Sequence, residues 1–192
     1  MTTVERIAES LGTNERDRRL HPIERRLSQA MADAFKRQSR TFLRELRKLR
    51  DTFPEHLQES VPENIWLAAW LAAVRLTQQA MADSIEAAAR AAWIVGNEDI
   101  QREIGFRIAF DIDNPAAVQF LREYGAQRVT MINETTRGYI RTLMVEGMEQ
   151  GTSYTEMARQ LRNRFAEFST PKPQRHLRNR AELVAVTETA NA

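Results

Sequence analysis

The chain has 192 residues, 42% of them hydrophobic and 28% charged, with a formal net charge of +2 and no cysteine. That length supports one domain with a sizeable core, and the missing cysteines exclude both a disulfide framework and a thiolate zinc site. The start, MTTVERIAESLG, carries charges among its apolar positions, unlike a signal peptide, and the longest apolar run, Ile65 to Val74, is ten residues, too short to cross a bilayer. A soluble protein made in a cytoplasm is expected. Charge is unevenly spread. Between Arg18 and Arg50 eleven Arg or Lys face three acids, a local +8, and between Met157 and Arg180 seven face one, a local +6. Two basic regions flank an acidic middle, a layout suited to nucleic acid or to an acidic protein surface.

Val4, Ile7, Ala8 and Leu11 share one face of a short helix that Gly12 can end, and residues 13–19, TNERDRR, hold no apolar residue and read as a linker. Pro22 suits the first turn of a second helix. Ile23, Leu27, Ala30, Ala34, Phe42, Leu46 and Leu49 recur along it at three-to-four spacing, with Arg and Lys between them. Its narrow stripe and basic surface predict an N-terminal helical arm, residues 1–55, that lies on something rather than forming a core. The remainder, 56–192, reads as the helical body.

Ser60 and Glu63 form the pattern of a capping box, with Pro62 in the first turn. The helix they open meets no breaker before Gly96, carries eleven Ala, and has Trp66, Trp70 and Trp93 as anchors to its neighbours. In GFRIAFDIDNP the apolar residues Phe106, Ile108, Phe110 and Ile112 alternate, predicting one short extended segment near 106–112. Asn114 and Pro115 supply an N-cap and a first helical residue, and Gly125 marks a break. A further helix from about Gln127 carries Val129, Ile132, Thr136, Ile140, Leu143 and Met144 and ends between Gly147 and Gly151. Ser153 and Glu156 start another, with Met157, Leu161 and Phe165 on its apolar face. STPKPQ is a rigid turn, and a last helix runs from about Arg175. The expected fold is mostly α: an elongated bundle of about seven helices, long ones among them, plus the extended segment.

Chemistry is sparse. His21, His56 and His176 are far apart and none has a ligand partner four residues on, so no zinc site is expected. Asp111, Asp113 and Asn114 resemble the opening of a calcium loop, but its sixth position lacks Gly and its twelfth lacks Glu. There is no nucleophile elbow, P-loop or dinucleotide fingerprint. Carboxylate pairs such as Glu146 with Glu149 and Glu98 with Asp99 read as solvated faces. No cofactor is expected. The best physical candidate for an activity is the basic helix, where Arg26, Lys36, Arg37, Arg40, Arg44, Arg47, Lys48 and Arg50 can meet phosphates or an acidic partner.

Residues 106–192 resemble the head-morphogenesis family of tailed bacteriophages, the Mu F-like minor head proteins. The matching elements are Asn114–Pro115, Ile132 with Thr136, Ile140–Arg141, Gly151, Ser153, Glu156 to Ala158, Leu161, and a closing stretch from Arg180–Ala181 to Thr187–Glu188. Val186 stands where the family usually has Arg, and the chain stops four residues after Glu188 where many relatives continue. The resemblance implies a minimal, non-enzymatic member: a minor head component present in several copies. It implies docking on the portal protein, contact with the major capsid protein, and a part in head assembly or DNA packaging and delivery. Its places would be the virion and, during assembly, the host cytoplasm. Arg180, Ala181, Glu182, Thr187 and Glu188 are then the expected partner-binding residues, and packaged DNA a further nonspecific contact. Two other classes stay open on the sequence: a nonspecific DNA-binding architectural protein, and a helical enzyme such as a nuclease or transferase.

Overall fold

A computed structural model of the protein describes residues 3–52, 62–105 and 114–169. These form four helices: α1 (Thr3–Arg50), α2 (Glu63–Ile104), α3 (Pro115–Glu149) and α4 (Tyr154–Ser169). The mostly α bundle is as expected, and no strand occurs among the described residues. The extended segment near 106–112, the cap Ser60, and the last helix from Arg175 lie outside them.

The helices are longer and fewer than the breakers in the sequence predict. Gly12 does not end a helix and 13–19 is not a linker, because α1 runs through both, and through Pro22 as well. The physical reason lies at the far end of α2. Arg19 donates to Asp99 at 2.6 Å and also pairs with Glu98, while Arg102 stands 3.8 Å from Glu15. A segment without apolar residues is thereby held as helix through its charges. Gly96 likewise lies inside α2, and Gly125 inside α3. An interior glycine costs only about 1 kcal/mol against Ala, which packing readily offsets. At Gly125 the small residue has a positive role. A Cβ there would stand 2.9 Å from the carbonyl oxygen of Ala82, so α2 and α3 approach more closely than any side chain allows.

The true ends are chemically marked. Asn114 caps α3, its side chain accepting from Ala116 N–H at 2.9 Å, with Pro115 following. Gly105 ends α2 in the left-handed region, φ 71°, its N–H returning to the Gln101 carbonyl. The Ser153 hydroxyl accepts from Glu156 N–H at 3.3 Å at the start of α4. At the start of α2 Pro62 is the N-cap rather than a residue of the first turn, and it supplies no side-chain cap.

Packing follows the ring α1–α2–α3–α4, with α1 and α3 on one diagonal and α2 and α4 on the other. Arg19 beside Asp99 makes α1 and α2 antiparallel. Arg122 near Glu86 and Arg141 near Glu63 do the same for α2 and α3. Tyr154 sits at the level of Arg50 and Phe165 at that of Phe42, so α4 descends alongside α1. The described bundle tapers from four helices around Phe42 to three around Gln38, and then to α1 and α2 alone around Arg19.

The four-helix end holds the large aromatics. Phe42, Trp70 and Phe165 meet at centroid distances of 6.2 to 6.5 Å, with Phe42 edge-on to Trp70. Trp66 and Trp70 are buried as expected, whereas Trp93 is only half-buried. On α3, Val129, Ile132, Thr136, Ile140 and Met144 are buried, and Leu143 packs against the same core. The basic helix is itself a core helix. Leu27, Met31, Phe35, Phe42 and Leu46 of α1 are at most 2% exposed, which corrects its reading as an arm lying on something. The stripe looked narrow because part of it is polar: Gln38, Ser39 and Thr41 are also buried. Gln38 donates to Asn133 at 2.9 Å in the three-helix layer, leaving its own Oε1 buried without a partner.

Candidate functional site

Burying one face of α1 leaves its charges on the other. Arg26, Lys36, Arg37, Arg40, Arg44, Arg47 and Lys48 are exposed, and Arg50 is half-buried. At 3.6 residues per turn, Arg26, Arg37, Arg40, Arg44 and Arg47 fall within an arc of about 80°, and the row is about 30 Å long. The acids of this stretch are already engaged. Asp33 lies 3.7 Å from Lys36 and accepts from Gln29, and Glu45 accepts from Arg44 and Lys48 at 2.9 and 3.3 Å. Those two bonds, Arg44 first, hold the Glu45 carboxyl below its usual range. Arg26, Arg37 and Arg40 have no ion pair among the described residues.

α4 extends this surface. The Arg50 guanidinium lies 4.2 Å over the Tyr154 ring and pairs with Asp51 at 2.6 Å. Burial pushes the Tyr154 phenol up, while the charges of Arg50, Arg47 and Arg162 pull it down and Asp51 raises it. The half-buried Tyr154 ring thus lies beneath Arg50, with the positive charges of Arg47 and Arg162 also acting on it. Arg159 is engaged differently: it donates twice to Glu156, and that contact, ahead of one from Gln160, lowers the Glu156 carboxyl. Neither Arg162 nor Tyr154 stands out in the sequence, where only the excess of charge after Met157 points to this region.

The opposite side differs in kind. Every large hydrophobic side chain that is exposed among the described residues lies on α2 or α3: Leu71, Leu76, Ile94, Ile100, Phe120, Met131, Tyr139 and Val145. Phe120 is 64% exposed and stacks on Tyr124, over which Arg128 sits at 4.9 Å. Between α3 and α4 an open groove of about 370 Å³ is lined by Tyr139, Thr142, Leu143, Glu146, Gln160, Asn163, Arg164 and Glu167.

The other expected sites separate or fall outside view. Glu98 and Asp99 are not a free solvated pair but the anchor for Arg19. His21 lies 3.8 Å from Glu24, whereas His56 and His176 lie outside the described residues. So do Arg180, Ala181, Glu182, Thr187 and Glu188. Among the described residues no three His, Asp or Glu side chains gather as a metal would require, and no helix is long and apolar enough to cross a membrane. Compared with known protein families, curated proteins and solved structures, the chain matches none.

Proposed function

We propose that this chain is a minor head protein of a tailed phage or phage-like particle. It acts by occupying a place in the assembly, docked on the portal ring, rather than by turnover. The observation that carries the reading is where the phage-like motif residues sit. Ile132, Thr136, Ile140, Met157, Ala158 and Leu161 are all buried in the packing of α3 and α4. Asn114 and Ser153 cap those two helices. The resemblance therefore follows the residues that build a rigid helical hairpin, as a shared scaffold would require. The exposed apolar residues of α2 and α3 supply the surface that a protein partner needs. A runner-up, an architectural protein whose sole partner is DNA, has the α1 arginines in its favour but gives those apolar residues no role.

The test is composition of particles. The chain should sediment with intact heads at a fixed, small copy number and detach together with the portal on disassembly. Heads purified free of it, with the chain left in the lysate supernatant, would remove the proposal.

A further inference from the structure

We infer that the outer face of α1, continued by Arg162 of α4, is a contact surface for the phosphate backbone of duplex nucleic acid. Three features select this partner over an acidic protein. The row from Arg26 to Arg47 is built on arginine, whose planar fork suits phosphate oxygens. Its two acids are engaged, Asp33 by Lys36 and Gln29 and Glu45 by Arg44 and Lys48. No large hydrophobic side chain is exposed on α1 or α4 among the described residues, whereas those of α2 and α3 are. A protein interface needs an apolar centre, while a polyanion does not.

The length fits as well. A straight row of about 30 Å matches about nine base pairs at 3.4 Å each. Arg26, Arg37, Arg40 and Arg47 point outward from α1, and the exposed Arg162 lies on α4 between Tyr154 at the level of Arg50 and Phe165 at that of Phe42, where α4 packs on α1. Tyr154 and Arg50 fix the junction between the two helices. The contact carries no sequence information, because nothing in the row is placed to read a base edge. This goes beyond portal docking, and the two are separable. A chain that binds duplex but never enters heads sinks docking alone; a chain present in heads that ignores duplex sinks the phosphate contact alone.

The experiment measures binding of the full chain to a random-sequence 30-base-pair duplex by fluorescence anisotropy across a salt series. Five phosphates neutralised give a slope of log K against log salt near −4.5, which is roughly a 500-fold loss of affinity between 50 and 200 mM. R37Q/R40Q/R47Q should reduce the slope to about −1.8 and the loss to about 12-fold. R75Q/R122Q/R137Q, with the same change in charge on α2 and α3, should keep the parent slope. An unchanged slope in the α1 triple variant, with a reduced one in the control, would overturn the assignment. So would an absence of binding at 50 mM, or poly-glutamate competing as well as duplex at equal charge.

Discussion

Three glycines of α3 offer a graded test of how its neighbours approach. Gly138 is exposed and a Cβ there meets nothing within 4 Å. Gly138→Ala therefore gains helix propensity alone and should stabilise by about 0.5–1 kcal/mol. At Gly147 the added carbon would stand 2.8 Å from the Met157 sulfur, the flexible part of a side chain that can shift. Propensity and crowding then nearly cancel, and Gly147→Ala should lie close to wild type. At Gly125 the obstacle is backbone: Ala82 O at 2.9 Å, backed by Ala82 C at 3.6 Å and Glu86 N at 3.7 Å. Neither helix can yield locally, so an overpacking cost of about 1–3 kcal/mol outweighs the propensity gain. Gly125→Ala should thus destabilise by about 1 kcal/mol, placing it about 2 kcal/mol below Gly138→Ala. Urea unfolding of the three variants measures the order directly, and melting temperatures should differ by about 4–8 °C between the extremes. If Gly125→Ala proved as stabilising as Gly138→Ala, the close contact of α2 with α3 would be refuted.

Other expectations concern the core and its polar layer. Phe165→Ala, which empties the third position of the aromatic trio with Phe42 and Trp70, should cost about 3–5 kcal/mol in the same unfolding assay. Asn133→Leu leaves the Gln38 amide only the Met81 sulfur, a weak acceptor at 3.7 Å, and should cost about 1–3 kcal/mol, whereas Q38L/N133L should regain much of that loss because no buried polar group is stranded; a double variant no better than the single would argue against a Gln38–Asn133 bond. Tyr154 has a folded-state pKa above the ordinary value of 10.0. Its contribution to stability is therefore complete below that value and fades as pH rises through the folded-state pKa. Thermal melts between pH 8 and 11 should show the parent losing stability faster than Tyr154→Phe, and parallel curves would contradict the burial of that phenol.

The parts legible in the sequence were those encoded by local chemistry. Asn114–Pro115 and Ser153 marked helix starts because a side-chain oxygen or a fixed φ acts within one turn. The repeat of Val129, Ile132, Thr136 and Ile140 marked a buried face for the same reason. What was not legible depends on partners distant in sequence. TNERDRR is helical because Glu98, Asp99 and Arg102 lie eighty residues away along the chain, and Gly125 continues a helix because Ala82 must come close. The basic residues of α1 were found, but their separation into a buried polar group around Gln38 and an exposed row around Arg40 needed the neighbouring helices. Arg162 extends that row only through the packing of α4 on α1 at Arg50 and Phe42.

On the proposed function the molecule works by position, with one side for protein and the other for phosphate. Imaging of particles at side-chain resolution around the portal vertex tests it most directly. The expected density has the outer faces of α2 and α3 against the portal ring and the α1 arginine row turned toward packaged DNA. A vertex without this chain, or one in which Arg37, Arg40 and Arg47 are buried against the ring, would contradict the claim.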